Sequence, residues 1–248
     1  MRGYNYTWGV SLNQYSMKGD RVIMLTVTVT PDWKTAHPGG AVGLLQVGGV
    51  DNSHPSPALE DEKRRLEAAL RRQYQGFTRR ELLALPVMAA YHAYYRLFDK
   101  TYHVLLQLES LLFKGRNLPQ VSPLVDANFM AEMEVLTLAA SHDAERLQPP
   151  LSIDICRPGD RLQQMGGALK DQLPGDMAMR DGLGLACTIL YGQDDRSPVT
   201  AATRHAMYVV YAPPGVGRTN VAAHLEALLR YIRLFAPGVV VEGESLID

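Results

Sequence analysis

Residues 117–129 read Asn-Leu-Pro-Gln-Val-Ser-Pro-Leu-Val-Asp-Ala-Asn-Phe, and Pro119 and Pro123 prevent regular structure from passing through them unbroken. Each proline locks its own φ and turns the preceding residue away from helix, so the chain there is extended and kinked. Asp126 or Asn128 is placed to cap a helix beginning beyond the loop. From Phe129 onward, Phe129, Met130, Met133, Leu136 and Ala140 recur at helical spacing, which predicts a helix ending near His142 and Asp143. A rigid loop that delivers polar residues to a helix N-terminus makes a pocket wall. A Pro-rich connection with an ordinary cap has the same local signature.

The rest of the chain divides at its prolines and glycines. In residues 22–30, Leu25, Val27 and Val29 alternate with Thr26, Thr28 and Thr30, the pattern of a half-buried strand that Pro31 stops. Residues 17–20 read as a turn, and residues 41–50 as an apolar strand between two Gly-Gly pairs. A helix is expected from Ser56 to Tyr74, with Pro57 in its first turn and Leu59, Leu66, Leu70 and Tyr74 as its apolar stripe. Its Lys63, Arg64, Arg65, Arg71 and Arg72 intermix with acids, which suits a solvated face better than an RNA-binding one. Thr78 and Glu81 match a capping box. Helices are then expected over 86–98, where the tyrosines 91, 94 and 95 suit core packing, and over 105–113. Strands are expected over 151–156, 185–191 and 206–211, loops or hairpin turns over 160–167 and 175–184, and a last helix capped by Thr219 and ended by Pro237. Strands and helices without a regular βαβ alternation indicate the α+β class.

With 46% apolar and 21% charged residues, the chain has the composition of a folded soluble protein, and its 248 residues bury a substantial core as one domain. The formal net charge of −1 counts against a purely electrostatic nucleic-acid binder, so any RNA contact comes from a local patch or is weak, and no DNA partner is expected. The only cysteines, Cys156 and Cys187, form no metal-ligand spacing, so no metal or cofactor is expected. No apolar run approaches a membrane span and none comes after a basic start, which predicts a cytoplasmic protein without a membrane partner.

Leu118-Pro119, Ser122 to Asp126, and Asp143 resemble the ordered motifs of the editing domain of the phenylalanyl-tRNA synthetase beta subunit, the B-three/B-four domain. Free-standing bacterial forms of that domain are more similar still. They share a Gly-Val-Asp-Asn-Ser (residues 49–53), a Gly-Gly (Gly166 and Gly167) and a Val-Thr-x-x-Thr-Arg (residues 199–204). The resemblance covers about 42–235 and leaves 1–41 as an N-terminal strand extension. It implies a layered α+β domain around a β-sandwich of unusual topology. It also implies binding of tRNA or an aminoacyl-tRNA end, and hydrolysis of a mischarged aminoacyl ester, typically of tyrosine.

Such hydrolysis needs a slot for the side chain, donors for the developing oxyanion and a positioned water. Carried across by motif, the resemblance makes Ser122, Asp126, Asn128, Phe129, Ala140, Cys187, Thr188, Arg204 and Val209 substrate-binding candidates, with Asn128 and His142 as catalytic candidates. The family's threonine-asparagine pair falls on Asn128 and Phe129, and its histidine falls on Ala140, two residues before His142. Its small alanine-glycine pair falls on Cys187 and Thr188. Its tyrosine-reading glutamate falls near the apolar Val209, which argues against tyrosine selectivity. His142 beside Asp143 fits a base with an orienting partner or a surface histidine at a helix end. Arg204 fits a phosphate or carboxylate contact or an ordinary ion pair, and His205 opens the strand after it. With its reading head replaced, the same fold also suits a non-catalytic module for an amino acid or small aromatic ligand. Residues 212–219 resemble a degraded phosphate loop, but Pro213 and Pro214 lack the backbone donors such a loop uses.

Overall fold

The computed structural model describes residues 16–17, 20–21 and 24–248. Strands β1 (Ser16–Met17) and β2 (Asp20–Arg21) pair antiparallel across the expected turn, whose Lys18 and Gly19 lie outside the described residues, as do Val22 and Ile23. Strand β3 spans only Val27–Val29, yet Leu25, Val27 and Val29 are half-buried while Thr26 and Thr28 are exposed, as the alternation requires. Pro31 ends that stretch and opens a helix absent from the expected elements, α1 (Pro31–Ala36), with the Thr30 hydroxyl accepting from the Trp33 N–H.

Strand β4 (Ala41–Gly48) is buried along its whole length. Four helices come next: α2 (Pro57–Gln73), α3 (Arg79–Leu83), α4 (Pro86–Arg96) and α5 (His103–Phe113). The capping box forms, the Thr78 N–H donating to the Glu81 carboxylate at 2.7 Å. Helix α6 (Pro123–Val135) stops at Leu136, whose φ of 62° is left-handed, and residues 138–143 are strand β5 (Leu138–Asp143). The helix expected to run to His142 is therefore corrected. Its apolar spacing continues past Val135, but the backbone of 138–143 pairs with a later strand, and tertiary pairing overrides the local pattern.

After a 3₁₀ turn come β6 (Leu151–Ile155), β7 (Arg161–Gln163), β8 (Leu169–Asp171), β9 (Met177–Asp181), β10 (Gly184–Thr188), β11 (Gly192–Gln193) and β12 (Ala206–Ala212). The stretches expected as loops or hairpin turns over 160–167 and 175–184 contain β7 and β9, each of which pairs antiparallel with the strand that follows it. Helix α7 (Arg218–Phe235) starts after Gly217, one residue before the anticipated cap Thr219, and β13 (Val240–Ile247) closes the chain. In the 212–219 stretch the Arg218 guanidinium pairs with Asp248 at 3.0 Å.

The order β13-β4-β12-β5 makes a four-stranded antiparallel sheet, and β11-β10-β9-β6-β3 a five-stranded one in which only β3 and β6 run parallel. The two sheets touch where the Cys187 thiol of β10 meets the Tyr211 hydroxyl of β12 at 2.7 Å. Helix α7 lies on β4 because Gly43 leaves room for it: a Cβ there would stand 2.4 Å from Val221. The tyrosines of α4 fasten the helices to both sheets, since the Tyr95 hydroxyl donates to the Ile189 carbonyl at 2.7 Å and that of Tyr91 donates to the Tyr211 carbonyl. Tyr91 also stacks on Tyr102 with centroids 4.2 Å apart. The architecture is α+β, as expected. No helix among the described residues is long and apolar enough to cross a membrane.

Candidate functional site

The start of helix α6 is positioned by two short segments distant in sequence. Its N-cap Ser122 makes no side-chain capping bond; Asn52 supplies it from another segment, accepting from the Leu124 N–H at 2.9 Å. The Asn52 amide also donates to the Thr200 carbonyl at 2.8 Å and to the Ser122 hydroxyl at 3.3 Å. Farther on, the Thr203 hydroxyl donates to Asp143 at 2.7 Å and the Val50 N–H donates to the Arg204 carbonyl. The motifs at 49–53, 118–126 and 199–204 therefore meet as a polar seam between β4, α6 and β12. Replacing the buried Asn52 by alanine leaves the Leu124 N–H and the Thr200 carbonyl unpaired, so a loss of about 2 kcal/mol is expected in urea unfolding, against less than about 0.5 kcal/mol for the exposed Arg204→Ala.

Asp126 does not cap the helix either. It is buried in the first turn, where it pairs with Lys63 at 2.8 Å and accepts from the Val121 N–H at 2.9 Å. The same Lys63 ammonium donates to the Pro119 carbonyl, and the Leu118 N–H donates to Glu67 at 2.7 Å. Lys63 and Glu67 are thus interior, a correction to the wholly solvated face expected of α2. The signal was present: Lys63 lies four, three and seven residues from Leu59, Leu66 and Leu70, and Glu67 lies four residues past Lys63 and three before Leu70.

Beneath this loop a cleft of about 560 Å³ opens between α6 and β5. Val125, Phe129, Leu138, Tyr191 and Val199 give it apolar walls, and its polar lining includes Asn128, Glu132, Gln107, His103 and Ser141, with Gln164 and Gln193. Asn128 is 4% exposed; its amide nitrogen donates to Glu132 at 3.3 Å and to the Ala139 carbonyl at 3.4 Å, while its carbonyl oxygen has no partner. Glu132 also accepts from the Ala139 N–H at 3.0 Å, and burial pushes its carboxyl up to about 8, so it is mostly protonated at neutral pH. The Gln107 carbonyl oxygen is buried without a partner too. Lys100 and Lys170 stand over the ring of Tyr191, with their ammonium groups 5.8 and 5.5 Å from its centroid.

Of the substrate-binding candidates, the structure brings Asn128 and Phe129 together in this cleft. Ala140 and Thr188 line an adjoining hollow of about 150 Å³ that shares His103, Leu138, Ala139, Tyr191 and Gly192 with it. Ser122 and Asp126 line a separate cavity of about 270 Å³ on the other side of the loop. Cys187 and Val209 are buried outside these linings, Val209 directly opposite Ala140 in the sheet. Arg204 is exposed, donates to the Ala201 and Thr203 carbonyls and stands 3.7 Å from Asp51.

His142 is not at the surface of a helix end. It is fully buried on β5, with Nδ1 2.7 Å from the Ser197 hydroxyl, which donates in turn to Asp194 at 2.6 Å. Ser197 spends its hydrogen on Asp194, so Nδ1 carries the proton, and Nε2 is left without a partner. Burial pushes the imidazole down to about 4, and His142 is not among the residues lining the cleft. The residues that sequence reasoning missed are Gln107, Ser141 and above all Glu132. A carboxylate one turn past Asn128, set between Ala131 and Met133 on the apolar side of the helix, was the available signal.

No family model matches the chain, and no curated protein matches it. Among solved structures it shows a distant likeness to an N-terminal fragment of the phenylalanyl-tRNA synthetase beta-subunit from Pyrococcus horikoshii, with 12% sequence identity and a TM-score of 0.43, over 95% of this chain and 53% of that chain. The chain spans about half the length of that fragment.

Proposed function

We propose that the cleft beneath the central loop holds an amino-acid-like ligand, presented as the aminoacyl end of a tRNA, and that the protein acts in the cytoplasm as a free-standing editing-domain-like unit of one domain. The observation that carries this reading is Asn128: a buried amide with a free carbonyl oxygen, set in the wall of a cleft that combines apolar and polar side chains. Sites for small molecules combine apolar walls with a few fixed polar groups at this volume. The ordered sequence motifs supply the substrate class. Lys100 and Lys170 beside the cleft supply local positive charge for a phosphate in a chain whose net charge is −1.

A second reading, a non-catalytic binding module, is favoured by the position of His142, which leaves the cleft without the base that the sequence suggested. Hydrolysis of a panel of mischarged tRNAs, Tyr-tRNA(Phe) included, by wild type and Asn128→Ala separates the two. Turnover lost in the variant is the expected result for an editing protein. Ligand-dependent thermal stabilisation without turnover leaves the binding module. Neither turnover nor binding of tRNA or amino acids sinks both.

A further inference from the structure

We infer that Glu132, Asn128 and Gln107 form an ammonium subsite in the cleft, and that an amine taken up there displaces a proton from the glutamic acid to solvent. This rests on the reading of the cleft as a site for an amino-acid-like ligand. It names the part of the ligand that the polar lining recognises.

Asn128 and Gln107 line one cleft, and the side-chain carbonyl oxygen of each is buried without a hydrogen-bond partner. Two buried acceptors left open ask for donors, because each unpaired polar atom costs about 1–3 kcal/mol. Glu132, one turn past Asn128 on α6, is the third acceptor among the residues of the cleft. A primary ammonium carries three donors and no acceptor, so it matches three acceptors, whereas a hydroxyl donates only once. A carboxylate or phosphate in this position would face three oxygens and find no partner.

Glu132 is arranged to respond to charge. Its oxygen accepts only from the neutral Asn128 amide and the Ala139 N–H, and no arginine or lysine pairs with it among the described residues. The titratable groups around it are Tyr91 and Tyr95 of α4, and Tyr102 and His103 at the start of α5. From the other elements packed on α6, α7 brings His224, held neutral by burial, and α2 brings Lys63, engaged by Asp126 and Glu60. With nothing cationic beside it, the empty site keeps its proton at neutral pH. An arriving ammonium supplies the missing charge: the glutamic acid and the ammonium become a carboxylate–ammonium pair, and one proton leaves to solvent.

The test titrates the whole protein with L-phenylalaninol, L-leucinol and L-alaninol, and with the same three alcohols lacking the amine. It is run between pH 6 and 8.5, where such amines stay charged. At least one amino alcohol is expected to bind tenfold or more tighter than its deaminated counterpart. Its affinity should rise about tenfold per pH unit from pH 6 to 7.5, and its calorimetric heat should scale with the ionisation enthalpy of the buffer as one proton is released. Glu132→Gln should flatten the pH slope, and Gln107→Met should weaken the amino alcohols while sparing the simple ones. The second variant and the wild-type slope decide the matter if Glu132→Gln does not fold. Equal affinity for amine and deaminated probes, without proton release, overturns the subsite and leaves the cleft reading standing. Failure of every probe to bind overturns both.

Discussion

Lys63→Met is expected to lower the unfolding free energy by about 3–5 kcal/mol at pH 7, measured by urea denaturation, because it strands a buried carboxylate. Lys63 and Asp126 are 1% and 4% exposed in their side chains and 2.8 Å apart. Methionine matches the stem of lysine in length, so the change removes a charge while leaving the packing largely filled. Asp126 then keeps only the Val121 N–H, and the Pro119 carbonyl loses its donor. The double variant Lys63→Met/Asp126→Leu should recover more than half of the loss, since removing both charges also removes the need to pair them. A loss below about 1 kcal/mol in the single variant would show that water reaches the pair and that α2 does not hold the loop through it. The expectation extends to the cleft. Val121 lies in the tethered segment and lines both the large cleft and the cavity on the other side of the loop, so ligand binding should weaken with stability in Lys63→Met.

The same residues show why some of this fold was legible in the sequence and some was not. Elements specified by their own chemistry were readable: the Thr78–Glu81 box, the prolines at the first positions of α2 and α4, and the alternation around β3 act over four or five residues. Strand β5 was not, because residues 138–143 satisfy a helical apolar spacing and become a strand only through pairing with β12, more than sixty residues later. The left-handed Leu136 that separates α6 from β5 has no Gly or Asn to announce it. The central loop was legible as a rigid, pocket-forming connection. Its charged partners were not, since a run such as Lys63-Arg64-Arg65 reveals which basic residue turns inward only when laid on the helix beside Leu59 and Leu66. Within the site, Asn128 and Phe129 were found through motif resemblance, whereas Glu132 and Gln107 join them only by folding. His142, adjacent to a conspicuous aspartate in the sequence, alternates away from Ser141 once β5 is a strand.

Glu132→Gln is expected to leave stability within about 1 kcal/mol of wild type at pH 5 and to raise it by several kcal/mol at pH 8.5. The sign comes from proton counting. In the folded protein burial raises the Glu132 carboxyl from 4.5 to about 8, so between those values the native state holds a proton that the unfolded chain has released. Stability therefore falls as pH rises through that window, by a total on the order of 5 kcal/mol, and levels off above it. Glutamine, neutral throughout, accepts the Ala139 N–H without that penalty. Other buried groups titrate in both proteins and cancel in the difference. Asp176, raised from 3.8 to about 7, adds its own loss as pH rises between those values, and His142 and His224, pushed down by burial, add an acid loss that sets in as pH falls below 6.5. Urea midpoints of wild type and variant, compared at half-unit steps from pH 5 to 9, check the expectation. Parallel curves would mean that Glu132 is hydrated and titrates normally. Diverging curves would show that the fold carries a cost that grows with pH, that of ionising a buried carboxyl with no cationic partner. An ammonium bound there supplies the counter-charge that the fold withholds, so the stabilisation a ligand gives the wild type should also grow toward pH 8, and Glu132→Gln should lose that trend.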